Sequence, residues 1–401
     1  MKLIRLSAIV AAAFFSTSAA ATDDTEDPTI QKYPELVKWF TTHGGLVDPR
    51  ITLGYEESSR IRGMIATEHI EPGTVLVHTP ASLMIKENEG EHQYTDHCAM
   101  IQRIVEEIEL GKDSKWNVYF EFDGSSKGGG TPTQWDKEDQ PGSRAIKELQ
   151  GLPPTGETHR HINWYTAACN NGEEVSEVQF RALILFISRA ADCGIVPLYD
   201  LMNHHNGLIN TQLEVDEENG LSVIATTSIE PNEPIYLTYA RGGFESTVDV
   251  FNNYGFVEEY PQLWRWSDMD FEILVVSPTL AALHPTKALM QVLGNRRRSM
   301  EEWKVEIDHH HATVRQSRAN AMHDSALTIL NELPTTIAED ENTILPNERR
   351  LFEKAKKKGR LDQSKADTIQ AIEYRLAFKK ALRLAVDVAD GGKFYVDSEE
   401  L

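Results

Sequence analysis

Short β-like runs fall into two groups on either side of a long mixed and helical stretch, and the chain then turns helical nearly to its end. The first group covers residues 51–55, 64–70 and 74–79, with Glu71-Pro72-Gly73 as a turn between the last two. The second covers 209–215, 221–229 and 234–239, with turns at 217–220 and 230–232. Between them, Ser176-Glu177-Val178-Gln179 has the pattern of a capping box before a mostly buried helix over 180–191. A short helix is expected from Tyr33, with Pro34 in its first turn and Gly44-Gly45 at its end. From about Pro285 the pattern is helical, and 366–388 is the longest candidate, with Ile369, Ile372, Leu376 and Leu382 spaced for one face. Strands and helices that segregate in this way predict an α+β fold, not an alternating parallel sheet.

Length and charge narrow the classes of function. A chain of 401 residues has room for a large core and a second domain. Hydrophobic residues at 40% and charged residues at 25% argue against global disorder. Lys and Arg number 40 against 62 Asp and Glu, a net charge of −22. Such a surface repels phosphate backbones and anionic lipid heads, so nucleic acid is not an expected partner; a basic protein suits it better.

Both ends read as addresses. Residues 1–21 have the basic start, ten-residue apolar run and small-residue stretch of a signal peptide, and the run is too short to span a bilayer. The remaining chain has no membrane-spanning segment by this reading. Ser398-Glu399-Glu400-Leu401 closes an acidic tail, 391–401, and keeps the terminal Glu-Leu of an endoplasmic-reticulum retrieval signal. The expected location is the secretory pathway, in that lumen or beyond it. Cys98, Cys169 and Cys193 are too few and too scattered for a zinc cluster, though one disulfide would suit an oxidising lumen.

Common catalytic signatures do not occur. Neither GxGxxG after a strand nor GxxxxGK[ST], GxSxG or HExxH is found. His309-His310-His311 points in three directions on a helix, and no metal site is expected. The most informative stretch is 197–207, where Asp200, Asn203, His204, His205 and Asn206 stand in an otherwise apolar segment. Burying such side chains costs several kcal/mol unless each finds partners. On composition alone, a polar turn that satisfies itself explains the segment.

The wider pattern resembles a known family. Asp200-Leu-Met-Asn203-His204, then Ile229 through Tyr239, then Asn253-Tyr254-Gly255-Phe256-Val257, is similar to the C-terminal half of a SET domain. The branch is that of the Rubisco large-subunit lysine methyltransferase, which includes an actin histidine methyltransferase. Ser59 through Ala66, Ile70 through Gly73 and Pro80 through Met84 are similar to that family's Gly-rich N-terminal strand and the run after it. Leu333-Pro334-Thr335-Thr336, Asp340-Glu341 and Tyr374 through Lys379 resemble its helical substrate-binding domain.

The resemblance implies a SET β-fold over 30–265 with a helical insert over about 86–190, followed by a helical substrate-binding domain over 285–390. It implies S-adenosyl-L-methionine as cofactor and methyl transfer to a protein nitrogen, most simply a lysine. Cofactor-binding positions carried over are Arg60, Arg62 and Gly63 along the first strand, Arg189 at the end of the buried helix, and Asp200, Asn203 and His204. Tyr239 takes the catalytic place beside the transfer channel, while Tyr254 and Leu213 fall at substrate-binding positions. No metal is implied, and a monomer is expected.

Several positions depart from the family. Tyr239-Ala240 replaces Tyr-Gly, Arg60 and Arg62 replace small or acidic residues, and Leu213 stands where an aromatic is usual. Ala190-Ala191 lacks the asparagine of the histidine-directed member. A histidine methyltransferase and a non-catalytic peptide-binding module remain alternatives.

Overall fold

The two groups of short strands pack into one sheet system across the helical stretch. The computed structural model describes residues 28–56, 61–87, 96–123, 130–135, 143–216, 218–239, 244–265, 272–294, 299–357, 363–392 and 394. The expected leader at 1–21, Arg60 and the terminal tetrapeptide lie outside these residues.

Helix α1 (Pro28–Thr42) opens the described chain. It starts earlier than its sequence suggests and carries Pro34 inside it, since Pro28 takes the first-turn position. Strands β1 (Leu46–Val47), β2 (Ile51–Tyr55), β3 (Arg62–Ala66) and β4 (Val75–Pro80) follow. The insert holds α2 (His97–Leu110), α3 (Asn117–Asp123), α4 (Ser143–Glu148), α5 (Arg160–Ala168) and α6 (Glu177–Arg189). The Ser176–Gln179 capping box at α6 is formed as the sequence indicates, with a hydrogen bond in each direction.

After α6 come β5 (Ala190–Ala191), β6 (Gly194–Ile195), β7 (Asn203–His204), β8 (Thr211–Asp216), β9 (Gly220–Ala225) and β10 (Tyr236–Leu237). Strand order in the main sheet is β1-β4-β9-β8. Its central pair, β4 and β9, brings together the two sides of the insert, with Thr79 opposite Leu221. Strands β2 and β3 form a hairpin in which Gly54 faces Gly63, and β7 pairs in parallel with β10. One buried cluster, including Phe40, Met64, Leu76, Ile101, Leu183 and Val223, unites α1, these strands and the insert.

The rest of the chain begins with α7 (Thr247–Tyr254) and an antiparallel sheet of β11 (Gln262–Arg265), β12 (Glu272–Ser277) and β13 (Leu280–Leu283). No alternation in the sequence announces this sheet, because β11 to β13 are buried on both faces and read as continuous apolar runs. Helices α8 (Lys287–Gly294), α9 (Met300–His311), α10 (Gln316–Glu332), α11 (Ile337–Glu339), α12 (Leu345–Lys356) and α13 (Gln363–Asp390) complete the described chain. Buried residues Ala371, Tyr374, Phe378, Leu382 and Ala385 run down one face of α13 into this second core. The Tyr374 ring stacks on Phe251 of α7 at 3.9 Å between centroids, so the helical end is packed onto the segment that carries Tyr254. Burying each such aromatic contributes about 1.5–3 kcal/mol.

Two polar features lock this arrangement. Asp340 accepts from Arg375 at 2.6 Å and from Lys379 at 2.7 Å, all three fully or almost fully buried. Arg375 also bonds the Glu148 carboxylate and, at 2.7 Å, its carbonyl, which ties α13 to the insert. At the far end, His310 and His311 serve the main chain. His310 Nε2 donates to the Leu283 carbonyl, and His311 Nε2 accepts from the Leu283 N–H.

Candidate active site

The parallel pairing of β7 with β10 creates the centre of the site. Asn203 lies opposite Tyr236 and His204 opposite Leu237, so two segments far apart in sequence run side by side. The Tyr239 N–H donates to His204 Nδ1 at 3.0 Å, and its hydroxyl donates to the Met202 carbonyl at 3.0 Å. Burial holds the Tyr239 phenol well above its ordinary pKa, so it stays a neutral donor. Its ring meets the Tyr254 ring at 4.3 Å between centroids, and Tyr254 ends α7 just before Gly255, whose φ is +80°. The two tyrosines thus form one aromatic wall.

His204 is buried and neutral. Burial, aided by nearby His205, pushes its pKa down to about 3. Because Nδ1 accepts from Tyr239, Nε2 carries the proton and donates to Asn206 Oδ1 at 3.1 Å. His205 turns the other way. Its Nδ1 accepts from the N–H groups of Gly207 and Leu208, closing the polar turn on itself.

The Asn203 amide is held by the N-terminal half of the fold. Its Nδ2 donates to Glu56 Oε1 at 2.7 Å and to the Arg62 carbonyl at 3.2 Å. Gly63 makes room for it, since a Cβ there would lie 2.3 Å from that nitrogen. Arg189 Nη1, at the end of α6, donates to the Asp200 carbonyl at 2.6 Å, and Asp200 Oδ2 accepts from the Tyr119 hydroxyl of α3 at 2.6 Å. These bonds fix the turn that leads into Asn203 and His204.

Of the residues singled out in the sequence, Gly63, Arg189, Asp200, Asn203, His204, Tyr239 and Tyr254 are joined in this network. Arg62 belongs to it through its carbonyl, while its guanidinium turns to Thr29 of α1 at 3.1 Å. Leu213 stands apart from the network: it is 41% exposed on edge strand β8, opposite Val223, and none of the bonds or ring contacts described above involves it. Arg60 lies outside the described residues. Asn206, named in the polar stretch without a role, takes part, as do Glu56 and Tyr119, which the sequence did not single out, and Glu258, which accepts from Asn206 Nδ2 at 3.3 Å. Glu258 opens an acidic pair, Glu258-Glu259, after Phe256-Val257, and Glu56 opens another after β2; nothing local marks Tyr119.

Residues 61–240 match the family defined by the SET domain. The chain carries a SET domain. Its fold, helical end included, is that of the structure of the LSMT SET domain bound to lysine and AdoHcy. That likeness covers 92% of each chain at 17% identity, with a TM-score of 0.53. The structure of Rubisco LSMT bound to AdoMet is similar over 91% of this chain and 92% of that one, at 18% identity and a TM-score of 0.52. The structure bound to sinefungin and monomethyllysine gives the same values. No curated protein sequence matches the chain. Within the SET domain, β7 and β10 form the crossing that brings Asn203 under Gly63.

Proposed function

We propose that this protein is an S-adenosyl-L-methionine-dependent N-methyltransferase acting on a lysine side chain of a protein substrate. The observation that carries the reading is the convergence of Gly63, Asn203, His204, Tyr239 and Tyr254 from both halves of the SET domain. Support from the neighbours lies in their ligands: AdoMet, AdoHcy, sinefungin, lysine and monomethyllysine.

The donor set fits the cofactor. Both Nδ2 hydrogens of Asn203 are engaged by Glu56 and Arg62, which leaves Oδ1 as its acceptor toward a ligand. An amide oxygen beside the buried Glu56 carboxylate suits the ammonium of an amino-acid moiety. When bound, S-adenosyl-L-methionine supplies an electrophilic methyl on a cationic sulfur. The chain's own groups position the acceptor nitrogen, exclude water and keep that nitrogen unprotonated. Deprotonating an ordinary lysine at pH 7 costs roughly 4–5 kcal/mol. A half-buried aromatic wall lowers that cost by desolvating the ammonium.

The experiment is transfer of labelled methyl from S-adenosyl-L-methionine to lysine-bearing and histidine-bearing protein pools, read by mass spectrometry. Labelled lysine supports the proposal, and label on histidine alone overturns the choice of residue. A second reading, a peptide-binding module, draws on the engagement of both Asn203 donors by the protein itself. Calorimetry separates the two: no binding of S-adenosyl-L-methionine at millimolar concentration leaves the module.

We place the protein in the secretory pathway as a monomer. The Cys98–Cys169 disulfide supports an oxidising compartment. Retention of an epitope-tagged chain in the lumen, and its loss on deleting Glu400-Leu401, tests the address; light scattering tests the monomer.

A further inference from the structure

Glu258 is a buried acid that methyl transfer itself does not call for. It follows Gly255 at the end of α7 and folds back so that Oε1 accepts from Thr247 Oγ1, at the start of the same helix, at 2.7 Å. Oε1 also accepts from Asn206 Nδ2 at 3.3 Å. Asn206 is the hub. Its Oδ1 accepts from the Glu245 N–H at 2.9 Å and from His204 Nε2, while its Nδ2 donates to the Glu245 carbonyl at 3.1 Å. The Asn206 side chain therefore pairs with both main-chain groups of Glu245, the residue before the N-cap of α7.

The two rings of the aromatic wall hang from this hub. Through His204 it reaches the Tyr239 N–H, and through Glu245 and Thr247 it sets the start of the helix whose last residue is Tyr254. A carboxamide can turn over, exchanging its donor and acceptor ends. Here Oδ1 must face His204 and Nδ2 must face Glu258, because His204 Nε2 carries a proton and Glu258 Oε1 accepts. An apolar residue at 258 would remove the acceptor and leave a buried Nδ2 hydrogen without it.

We propose that Glu258 is a positioning residue: by bracing the Asn206 amide and the Thr247 hydroxyl it fixes the placement of His204 and of the start of α7, and with them the spacing of Tyr239 against Tyr254, and so the rate of methyl transfer. This rests on the proposed methyltransferase reading. Burial drives the Glu258 carboxyl up to about 8, so at neutral pH it is largely protonated and glutamine is its close isostere.

The test compares Glu258→Gln, Glu258→Leu and Thr247→Val with the parent, each checked for folding by circular dichroism. Expected are a kcat within about threefold of the parent for Glu258→Gln, and a fall of tenfold or more for Glu258→Leu with little change in the KM for the protein substrate. Thr247→Val, which only loosens the carboxyl, should lose a few fold in kcat if Glu258→Leu does not fold. In ¹⁵N NMR the parent and Glu258→Gln should show His204 as the Nε2–H tautomer, and Thr247→Val should broaden or shift that signal. Equal kcat in parent and every folded variant overturns the proposal, as does equal loss in Glu258→Gln and Glu258→Leu. If the parent itself transfers no methyl, the functional reading fails, and an unchanged His204 signal in all folded variants then decides against Glu258 separately.

Discussion

Asn203 and Gly63 fit so closely that any side chain at residue 63 would collide with the Asn203 amide, whose nitrogen would lie 2.3 Å from a Cβ. The contact crosses the fold, since Gly63 sits on the first hairpin and Asn203 on the strand after the insert. Gly63→Ala should push the amide off Glu56 and the Arg62 carbonyl while the surrounding sheet stays paired. The loss of about one good hydrogen bond corresponds to roughly tenfold weaker binding of S-adenosylhomocysteine. Calorimetry on the folded variant checks this, and unaltered affinity would remove Asn203 from the binding site.

Tyr239→Phe deletes only the hydroxyl that donates to the Met202 carbonyl. The ring keeps its contact with Tyr254 and its main-chain bond to His204. The expected cost is about 1 kcal/mol of stability, with methyl transfer slowed about tenfold or more and cofactor affinity kept. A variant as fast as the parent would show that the phenol does not take part.

The polar segment at 200–206 stands out in the sequence, but on its own it fits a self-satisfying turn, and roles for its residues come from the family resemblance. Asn203, His204 and Asn206 are polar in an apolar run, whereas Gly63 is marked only by the resemblance. The α+β class followed from segregated strand and helix patterns. What the sequence hid is what depends on tertiary packing. Tyr119 reaches Asp200 from an insert helix 81 residues away, and no periodicity encodes such a partner. The sheet of β11 to β13 escaped because strands buried on both faces lose the alternation that marks a half-exposed one.

Buried titratable groups give the protein a defined pH response. Burial raises the Glu258 carboxyl from 4.5 to about 8, so between those values the folded chain holds a proton that the unfolded chain releases. That contribution is fully present below pH 4.5 and is lost as pH rises to about 8, by up to about 1.4 kcal/mol per pH unit. His204 and His205 act in the opposite sense. Their pKa values fall from 6.5 to about 3 and about 4, so their contribution is present above pH 6.5 and is lost on acidification. Urea unfolding of Glu258→Gln against the parent isolates the acid: the variant's relative stability should climb between pH 4.5 and 8 and level off beyond. A difference independent of pH would mean that Glu258 is ionised throughout.

The Cys98–Cys169 disulfide ties the start of α2 to the end of α5 across 71 residues. By loop-closure entropy a link of this span contributes about 4 kcal/mol. Since α2 and α5 both pack on α6, which ends in Arg189, reduction should loosen the turn that Arg189 holds as well as the insert. Dithiothreitol, or Cys98→Ser with Cys169→Ser, should lower the unfolding midpoint by several degrees. An identical midpoint in reduced and oxidised protein would contradict a stabilising link.

The helical end is held to the insert by charge as well as by apolar packing, and the two can be told apart. Asp340 is the shared anion of Arg375 and Lys379, and none of the three is more than 1% exposed. Replacing the carboxylate with its isosteric amide changes almost no volume, so the apolar core of α13 is untouched. Asp340→Asn leaves two buried cations with only Glu148 and neutral groups for partners, at an expected cost of about 3–5 kcal/mol. Arg375→Met with Lys379→Met in the same background removes those cations and should recover much of the loss. Chemical denaturation of the three proteins checks this. A loss under about 1 kcal/mol for Asp340→Asn would show that Glu148, Gln150 and Thr335 alone neutralise the site, and that α13 is held by its aromatic face.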